Sequence, residues 1–243
     1  MTKQALISVI VPARNEELYI GKTLEALFVA AGYLETAGGR AEVIVVDNAS
    51  TDATADRAGE FPVTVVREET RRISSVRNAG ARAARGEFLV FLDADSRPSP
   101  NALVRIAETL SSGRYAGGGV KIRPEKWNLR VLALYGGLPL VTRILGVSAG
   151  MLFATREAFD AVGGFDERLY AAEDLELAIA LKRHARICGK KFANLSDVYI
   201  TTSIRKLHKS TVREHLIFPW YLVNRKAVRR RENCGLWYND GYR

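Results

Sequence analysis

The sequence predicts an α/β fold, with a mostly parallel central sheet and flanking helices. Two observations carry this expectation. Apolar, β-rich runs alternate with stretches of helical periodicity through the first half of the chain, the pattern of successive βαβ units. One of those runs, Phe88-Leu89-Val90-Phe91-Leu92, holds five uncharged residues between Glu87 and Asp93, then stops at Asp93-Ala94-Asp95. A short apolar run bounded by charges reads as a buried strand. Open α/β sheets place their ligands at the carboxyl ends of such strands.

The elements follow in order. Leu6-Ile7-Ser8-Val9-Ile10-Val11 reads as the first strand, and Glu16 to Ala31 as a helix with apolar positions at Leu18, Leu24, Leu27 and Phe28. Glu42 to Val46 is a second strand, followed by a short helix from about Asp52, and Val63 to Val66 is a third. Ser74 to Arg85 forms a helix whose alanine-rich face can pack closely on a sheet. The strand ending at Asp93 comes next, then a turn at Ser96-Arg97-Pro98 and a helix from Pro100 to Leu110. Beyond Tyr115 the alternation weakens. Gly117-Gly118-Gly119 precedes a strand at Val120-Lys121-Ile122, and Trp127 to Leu145 reads as helix broken near Gly136 and Pro139. Asp174 to Cys188 is helical, with Leu177, Leu181, Ala185 and Cys188 on one face, and Thr211 to Arg230 forms the last long helix. No repeat or linker divides the chain, so residues 1–243 are expected to form one domain. Residues 1–122 would be its nucleotide-binding half, and residues 123–243 an acceptor-side half with a basic C-terminal helix.

Composition narrows the partners. A net charge of +9 favours anionic ones: nucleic acid, an anionic membrane face or phosphorylated substrates. The two cysteines, Cys188 and Cys234, have neither zinc-ligand spacing nor a disulfide framework, and a reducing cytoplasm is expected. The start of the chain runs straight into a strand without a leader-like segment. The most apolar stretch, Val131 to Phe153, is broken by Pro139, Arg143 and several glycines, which makes it a poor membrane span.

Four loops carry the chemistry. Val11-Pro12-Ala13-Arg14-Asn15-Glu16 leaves the first strand; Pro12 fixes the exit, Asn15 is placed to cap the helix, and free N–H groups there suit an anion. Val46-Asp47-Asn48-Ala49-Ser50-Thr51-Asp52 puts a carboxylate where nucleosides are often held, with Ser50 or Asp52 as helix cap. Arg71-Arg72-Ile73-Ser74-Ser75-Val76-Arg77-Asn78-Ala79-Gly80 brings arginines into a helix start, facing either a nucleotide or solvent. Gly163-Gly164-Phe165-Asp166-Glu167 and Ala172-Glu173-Asp174 end at a helix N-terminus, where the dipole favours a charged carboxylate. Each loop taken singly is equally compatible with plain capping.

Taken together and in this order, these motifs resemble the family 2 glycosyltransferases, inverting enzymes with the Rossmann-like GT-A fold, from about Leu6 to Arg205. The resemblance implies roles. Pro12, Ala13, Arg14 and Glu16 would line the first nucleotide-contacting loop, Asp47 would bind the base, and Arg77 would approach the nucleotide. Asp93, Ala94 and Asp95 match the DxD motif, with Asp93 and Asp95 binding Mg²⁺ or Mn²⁺. Asp174 matches the catalytic base and Glu173 its acidic neighbour. His208 stands where some enzymes of this fold place a third metal ligand, while Arg205 could meet the diphosphate. The donor implied is a nucleotide-sugar, with UDP favoured over GDP or dTDP. The acceptor implied is a carbohydrate or a lipid-linked molecule.

The chain lacks a Gln-x-x-Arg-Trp motif and a long apolar span after the catalytic half, which argues for transfer of a single sugar over processive synthesis. The basic tail Arg225 to Arg231, with Trp220, Tyr221, Trp237 and Tyr238, suits peripheral contact with the anionic inner face of a membrane. A haloacid-dehalogenase-type phosphatase using Asp93 and Asp95 is the rival enzyme. A nucleic-acid-binding protein ranks third, because it leaves the acidic motifs unexplained; no nucleic acid is expected.

Overall fold

The computed structural model describes residues 5–126, 131, 146–148, 150–204 and 229. In chain order the strands are β1 (Leu6–Ala13), β2 (Arg40–Asp47), β3 (Thr64–Arg67), β4 (Phe88–Phe91), β5 (Ser96–Pro98), β6 (Tyr115–Pro124), β7 (Met151–Thr155) and β8 (Lys191–Thr202). The helices are α1 (Ile20–Thr36), α2 (Thr54–Gly59), α3 (Ile73–Ala83), α4 (Ala102–Ser111), α5 (Arg156–Ala161) and α6 (Glu173–Ile187).

All eight strands join one sheet in the order β3-β2-β1-β4-β7-β6-β8-β5. Its first four strands are parallel throughout, and β6 and β8 also pair in parallel. The antiparallel pairs are β4 with β7, β6 with β7, and β5 with β8. The expectation of a mostly parallel sheet therefore holds, with the reversed strand β7 entering beside β4. This matters for function, because β1, β2 and β4 all deliver their C-terminal ends to one edge.

The central strands are apolar because both faces are covered. On one face Ile7, Val9 and Val11 pack with Leu24 and Leu27 of α1 and Leu103 and Ile106 of α4. On the other, Ile10, Ile44 and Val46 meet Val76 of α3 and Leu177 and Leu181 of α6. Helix α3 lies especially close: a Cβ added to Gly80 would stand 2.3 Å from Ile10 Cγ2 and 2.9 Å from Val46 Cγ2. Both neighbours are β-branched and cannot swing aside easily. Gly80→Val is expected to lower stability by about 3 kcal/mol through overpacking, read as a reduced urea midpoint with the same slope; an unchanged midpoint would contradict the close approach.

Several elements differ from the sequence-based expectation, each for a local reason. Helix α1 starts at Ile20 rather than Glu16, because the Glu16 carbonyl accepts the amides of Tyr19 and Ile20 in a preceding turn. Leu18 consequently lies outside the core, 72% exposed. Asn15 is not its cap; it sits at φ 51° and turns its side chain to the next loop. Ser96–Pro98 is a short strand paired to β8 rather than a turn, and Gly117–Gly119 lie inside β6. Those glycines are needed there: a Cβ on Gly118 would meet the Phe153 ring at 2.4 Å and the Ala193 carbonyl at 2.5 Å. Strands β7 and β8 and helix α5 were not anticipated. The expected helices at Trp127 to Leu145 and Thr211 to Arg230 lie outside the described residues. Among the described residues no helix is long and apolar enough to cross a membrane.

Candidate active site

The edge where β1, β2 and β4 end gathers most of the expected residues. Pro12 and Ala13 are the last residues of β1, in register with Val46 and Asp47 of β2. Pairing of β1 with β4 stops at Ile10 and Phe91, so Pro12 lies beyond the paired region on that side. The loops after β1 and β2 then clasp each other. The Asn15 amide donates to Ser50 Oγ at 3.1 Å, and Asn15 Oδ1 accepts the Thr51 amide at 2.9 Å. The Glu16 amide donates to Thr54 Oγ1 at 2.7 Å, the Glu17 amide to Asp52 at 3.2 Å, and Glu17 accepts the Ala53 amide at 3.0 Å. Asp52 also accepts the Thr54 amide at 3.0 Å, but Ala53 is the N-cap of α2, so neither Ser50 nor Asp52 is the cap expected from the sequence.

Arg14, expected on the nucleotide, is buried in this clasp, where its Nη1 donates to the Asn48 carbonyl at 2.6 Å and the Ala49 carbonyl at 2.9 Å. Asp47 is 4% exposed at the floor, with its carboxylate facing the Ser50 amide at 3.3 Å. Asn48 ties this loop to the chain after β3 by donating to the Glu68 and Thr70 carbonyls.

The Asp93-Ala94-Asp95 turn is fixed by its carbonyls. Asp93 accepts the Ser96 amide at 3.0 Å, Ala94 accepts the buried Thr23 hydroxyl of α1 at 2.7 Å, and Asp95 accepts the Ser203 amide at 3.2 Å. Ser203 directly follows β8; Arg205 and His208 lie outside the described residues. The Asp93 side chain is 46% exposed, whereas Asp95 is 8% exposed.

Glu173 and Asp174 open α6, directly after Ala172 at φ 59°. The element joining them to the DxD turn is Arg77 of α3. Its Nη1 donates to Glu173 Oε1 at 2.5 Å and its Nη2 to Asp93 Oδ1 at 2.8 Å, with the guanidinium 5.3 Å from the Phe165 ring centre. Phe165 is held edge-on to Phe91 of β4, at 4.8 Å between ring centres. Arg77, expected to approach a nucleotide, bridges two carboxylates from different segments of the site. Burial works against its charge, but Asp93, Glu173 and Asp174 outweigh that and keep it protonated. Burial pushes the Glu173 carboxyl up to about 7 against the pull of Arg77, and burial likewise raises Asp174. Glu173 is enclosed and committed to Arg77, whereas Asp174 is only half-buried.

Asp93 and Asp95 offer hard oxygen donors of the kind Mg²⁺ or Mn²⁺ prefers. Mg²⁺ sites commonly use one or two carboxylates completed by substrate phosphates, and the pair fits that pattern. Among the described residues no three His, Cys, Asp or Glu side chains converge as a complete cation cage.

Sequence reasoning passed over several residues that organise the site. Thr23 carries no charge pattern or motif spacing that marks it, whereas Asn78 and Glu167 stand inside loops the sequence singles out, with no role assigned to either. The three described non-glycine residues with positive φ are Asn15, Ala49 and Ala172, and all flank this edge. Such strained backbone tends to persist at functional sites.

Comparison with known proteins agrees with this geometry. A family profile described as Glycosyl transferase family 2 matches residues 8–164. A dolichol-phosphate mannosyltransferase of Pyrococcus furiosus is 30% identical over 231 residues, covering 88% of this chain but 61% of its own length. Among solved structures, the mannosyltransferase PcManGT of Pyrobaculum calidifontis, in complex with GDP-Man and Mn²⁺, aligns with a TM-score of 0.67 at 21% identity. That alignment covers 99% of this chain and 70% of that one. S. aureus TarS 1-349 in complex with UDP-GlcNAc aligns at 0.65 and 23% identity, covering 85% of this chain and 61% of that one. These structural likenesses establish the GT-A type of fold. With the profile spanning more than half of the residues and the ordered loops meeting at one sheet edge, the chain belongs to glycosyl transferase family 2.

Proposed function

We propose that this chain transfers a single sugar from a nucleotide-sugar donor to an acceptor, with inversion at the anomeric carbon. The observation that supports it best is Arg77, which holds Asp93 and Glu173 on one guanidinium and so sets two carboxylate groups across one cleft edge. The division of labour follows from their surroundings. Pro12, Ala13, Glu16 and Asp47 form the nucleoside floor. Asp93 and Asp95 would hold Mg²⁺ or Mn²⁺, which stabilises the charge growing on the departing diphosphate. Asp174, half-buried at the start of α6, takes the proton from the attacking acceptor. Glu173 keeps Arg77 in place. A base on the face opposite the leaving group makes a single in-line displacement, and hence inversion.

The Pyrococcus relative acts on a lipid phosphate by its name, which supports a lipid-linked acceptor for this chain. Peripheral contact with an anionic membrane face and a cytoplasmic location are proposed from the basic tail and the cysteine usage. His208 is proposed as a further metal ligand, and residues 1–243 as one domain. The phosphatase alternative loses its ground to the family match, and Asp93, which would be its nucleophile, is held by Arg77.

Thermal stabilisation by UDP, GDP, dTDP and CDP, each with and without Mn²⁺, tests the reading. One nucleotide is expected to raise the melting temperature only with Mn²⁺, and Asp95→Ala is expected to abolish that shift. Stabilisation that is identical without metal, or unchanged in Asp95→Ala, would refute the proposed cation site.

A further inference from the structure

Helix α3 carries a second set of polar side chains, next to Arg77, that neither the nucleotide floor nor the cation pair uses. They all face the segment between α5 and α6. Helix α5 closes with the Gly163 amide on the Asp160 carbonyl and the Gly164 amide on the Phe159 carbonyl, both glycines at positive φ. This left-handed pair turns Phe165 back onto α3, where Asn78 receives it. Asn78 Oδ1 accepts the Phe165 amide at 3.0 Å, and Asn78 Nδ2 donates to the Phe165 carbonyl at 3.0 Å. One side chain thus imitates the paired edge of a neighbouring strand. The fit is close, since a Cβ on Gly164 would stand 2.9 Å from Asn78 Oδ1.

The contacts continue along the segment. Asn78 Nδ2 also donates to Glu167 Oε1 at 2.9 Å, and Ser75 Oγ donates to Glu167 Oε2 at 2.9 Å. Arg72 donates to the Glu167 carbonyl and, at 2.6 Å, to the Tyr170 hydroxyl, with its guanidinium 4.5 Å over the Tyr170 ring. Leu169 and Ala171 are buried beneath. The segment then passes through strained Ala172 into Glu173 and Asp174. No contact of Asn78 or Glu167 with the acid pair itself is involved.

We infer that Asn78, paired with Glu167, is a positioning residue: it fixes segment 165–172 on α3 and through it sets where Glu173 and Asp174 stand. The inference rests on the proposed role of Asp174 as base. Its consequence is that the Ser-Val-Arg-Asn motif serves the acceptor side of the site, through a helix that also holds the DxD turn. One rigid body therefore references both halves of the reaction.

Asn78→Asp tests this, because it turns a donor facing Glu167 into a second carboxylate and like charges at that distance repel. Combining it with Glu167→Gln returns a donor to the pair from the other side. Two readouts apply. Hydrogen exchange of the 165–172 amides needs no substrate. Release of nucleotide from GDP-Man or UDP-GlcNAc with Mn²⁺, water standing in for the acceptor, reports turnover. Asn78→Asp is expected to speed exchange and to slow turnover, each by about tenfold or more, with stabilisation by the nucleotide unchanged. The double variant is expected to recover part of both losses, about threefold or more, because it restores the link to residue 167 but not the donor to the Phe165 carbonyl. Unchanged exchange in Asn78→Asp, or a double variant no better than the single one, would overturn the inference. So would parental turnover in Asn78→Asp while Asp174→Asn is inactive. Parental turnover in Asp174→Asn would instead remove the base assignment, a separate failure that the exchange data do not share.

Discussion

Asp174→Asn is expected to lower turnover by about 10²–10⁴-fold, the range that a positioned general base supplies, while leaving metal-dependent nucleotide stabilisation intact. The substitution keeps shape and removes only the proton acceptor. The case for Asp174 over Glu173 is one of access. Glu173 is buried against Arg77 at 2.5 Å, whereas Asp174 is half-buried on the next position of α6. Its proton affinity is raised by burial, which brings a carboxylate toward the range where it accepts a proton usefully at neutral pH. Glu173→Gln keeps one acceptor for Arg77 and is expected to be the milder change. If Glu173→Gln proved far more damaging to turnover than Asp174→Asn, with both proteins equally stable, the two roles would have to be exchanged.

Arg77→Met carries the largest expected effect on stability, about 3–5 kcal/mol, because removing one partner of a buried ionic cluster strands the others. The loss should depend on pH, and its sign follows from Glu173. Burial pushes that carboxyl up to about 7 even with Arg77 present. A carboxyl with a raised folded-state pKa favours the native state while protonated, and this contribution fades as pH rises through the folded value. Without Arg77 the folded value rises further, so the fade deepens at alkaline pH. Urea unfolding at pH 5 and pH 8 should therefore show a much larger deficit for Arg77→Met at pH 8. An equal deficit at both values would mean that the cluster acts by packing alone.

The central strands of the parallel half were readable because they are buried on both faces and announce themselves as apolar runs. The edge strand β3 is largely exposed and shows only as the short run Val63 to Val66. Val9-Ile10-Val11 and Phe88 to Leu92 need no tertiary context. The opposite holds for β8. Its register against β6 shifts near Val120 and its burial is irregular, so no clean alternation marks it. Strand β6 was read too short, since Gly117 to Gly119 look like a loop until Phe153 and Ala193 are seen packed against them. At the site, residues that bear charge at strand ends or helix starts were visible: Asp47, Asp93, Asp95, Glu173 and Asp174. Their connections were not. That Arg14 would turn inward to two carbonyls, or that Arg77 would span two acids from distant segments, depends on which loops the topology brings side by side. Neutral residues such as Thr23, with one hydrogen bond to Ala94, and Asn78, with three to Phe165 and Glu167, act through contacts for which local sequence has no signature.

The clasp between the loops after β1 and β2 bears on how such a site can be altered. Its bonds run reciprocally, from the backbone of each loop to side chains of the other, at Asn15, Glu17, Ser50, Asp52 and Thr54. Each loop is completed by groups of the other. A chimera that imports one of them to change the base recognised would bring donors without their acceptors. The natural unit of exchange is the pair, taken together from one parent, and variation accumulating in one loop would constrain the other across some 35 residues of intervening chain.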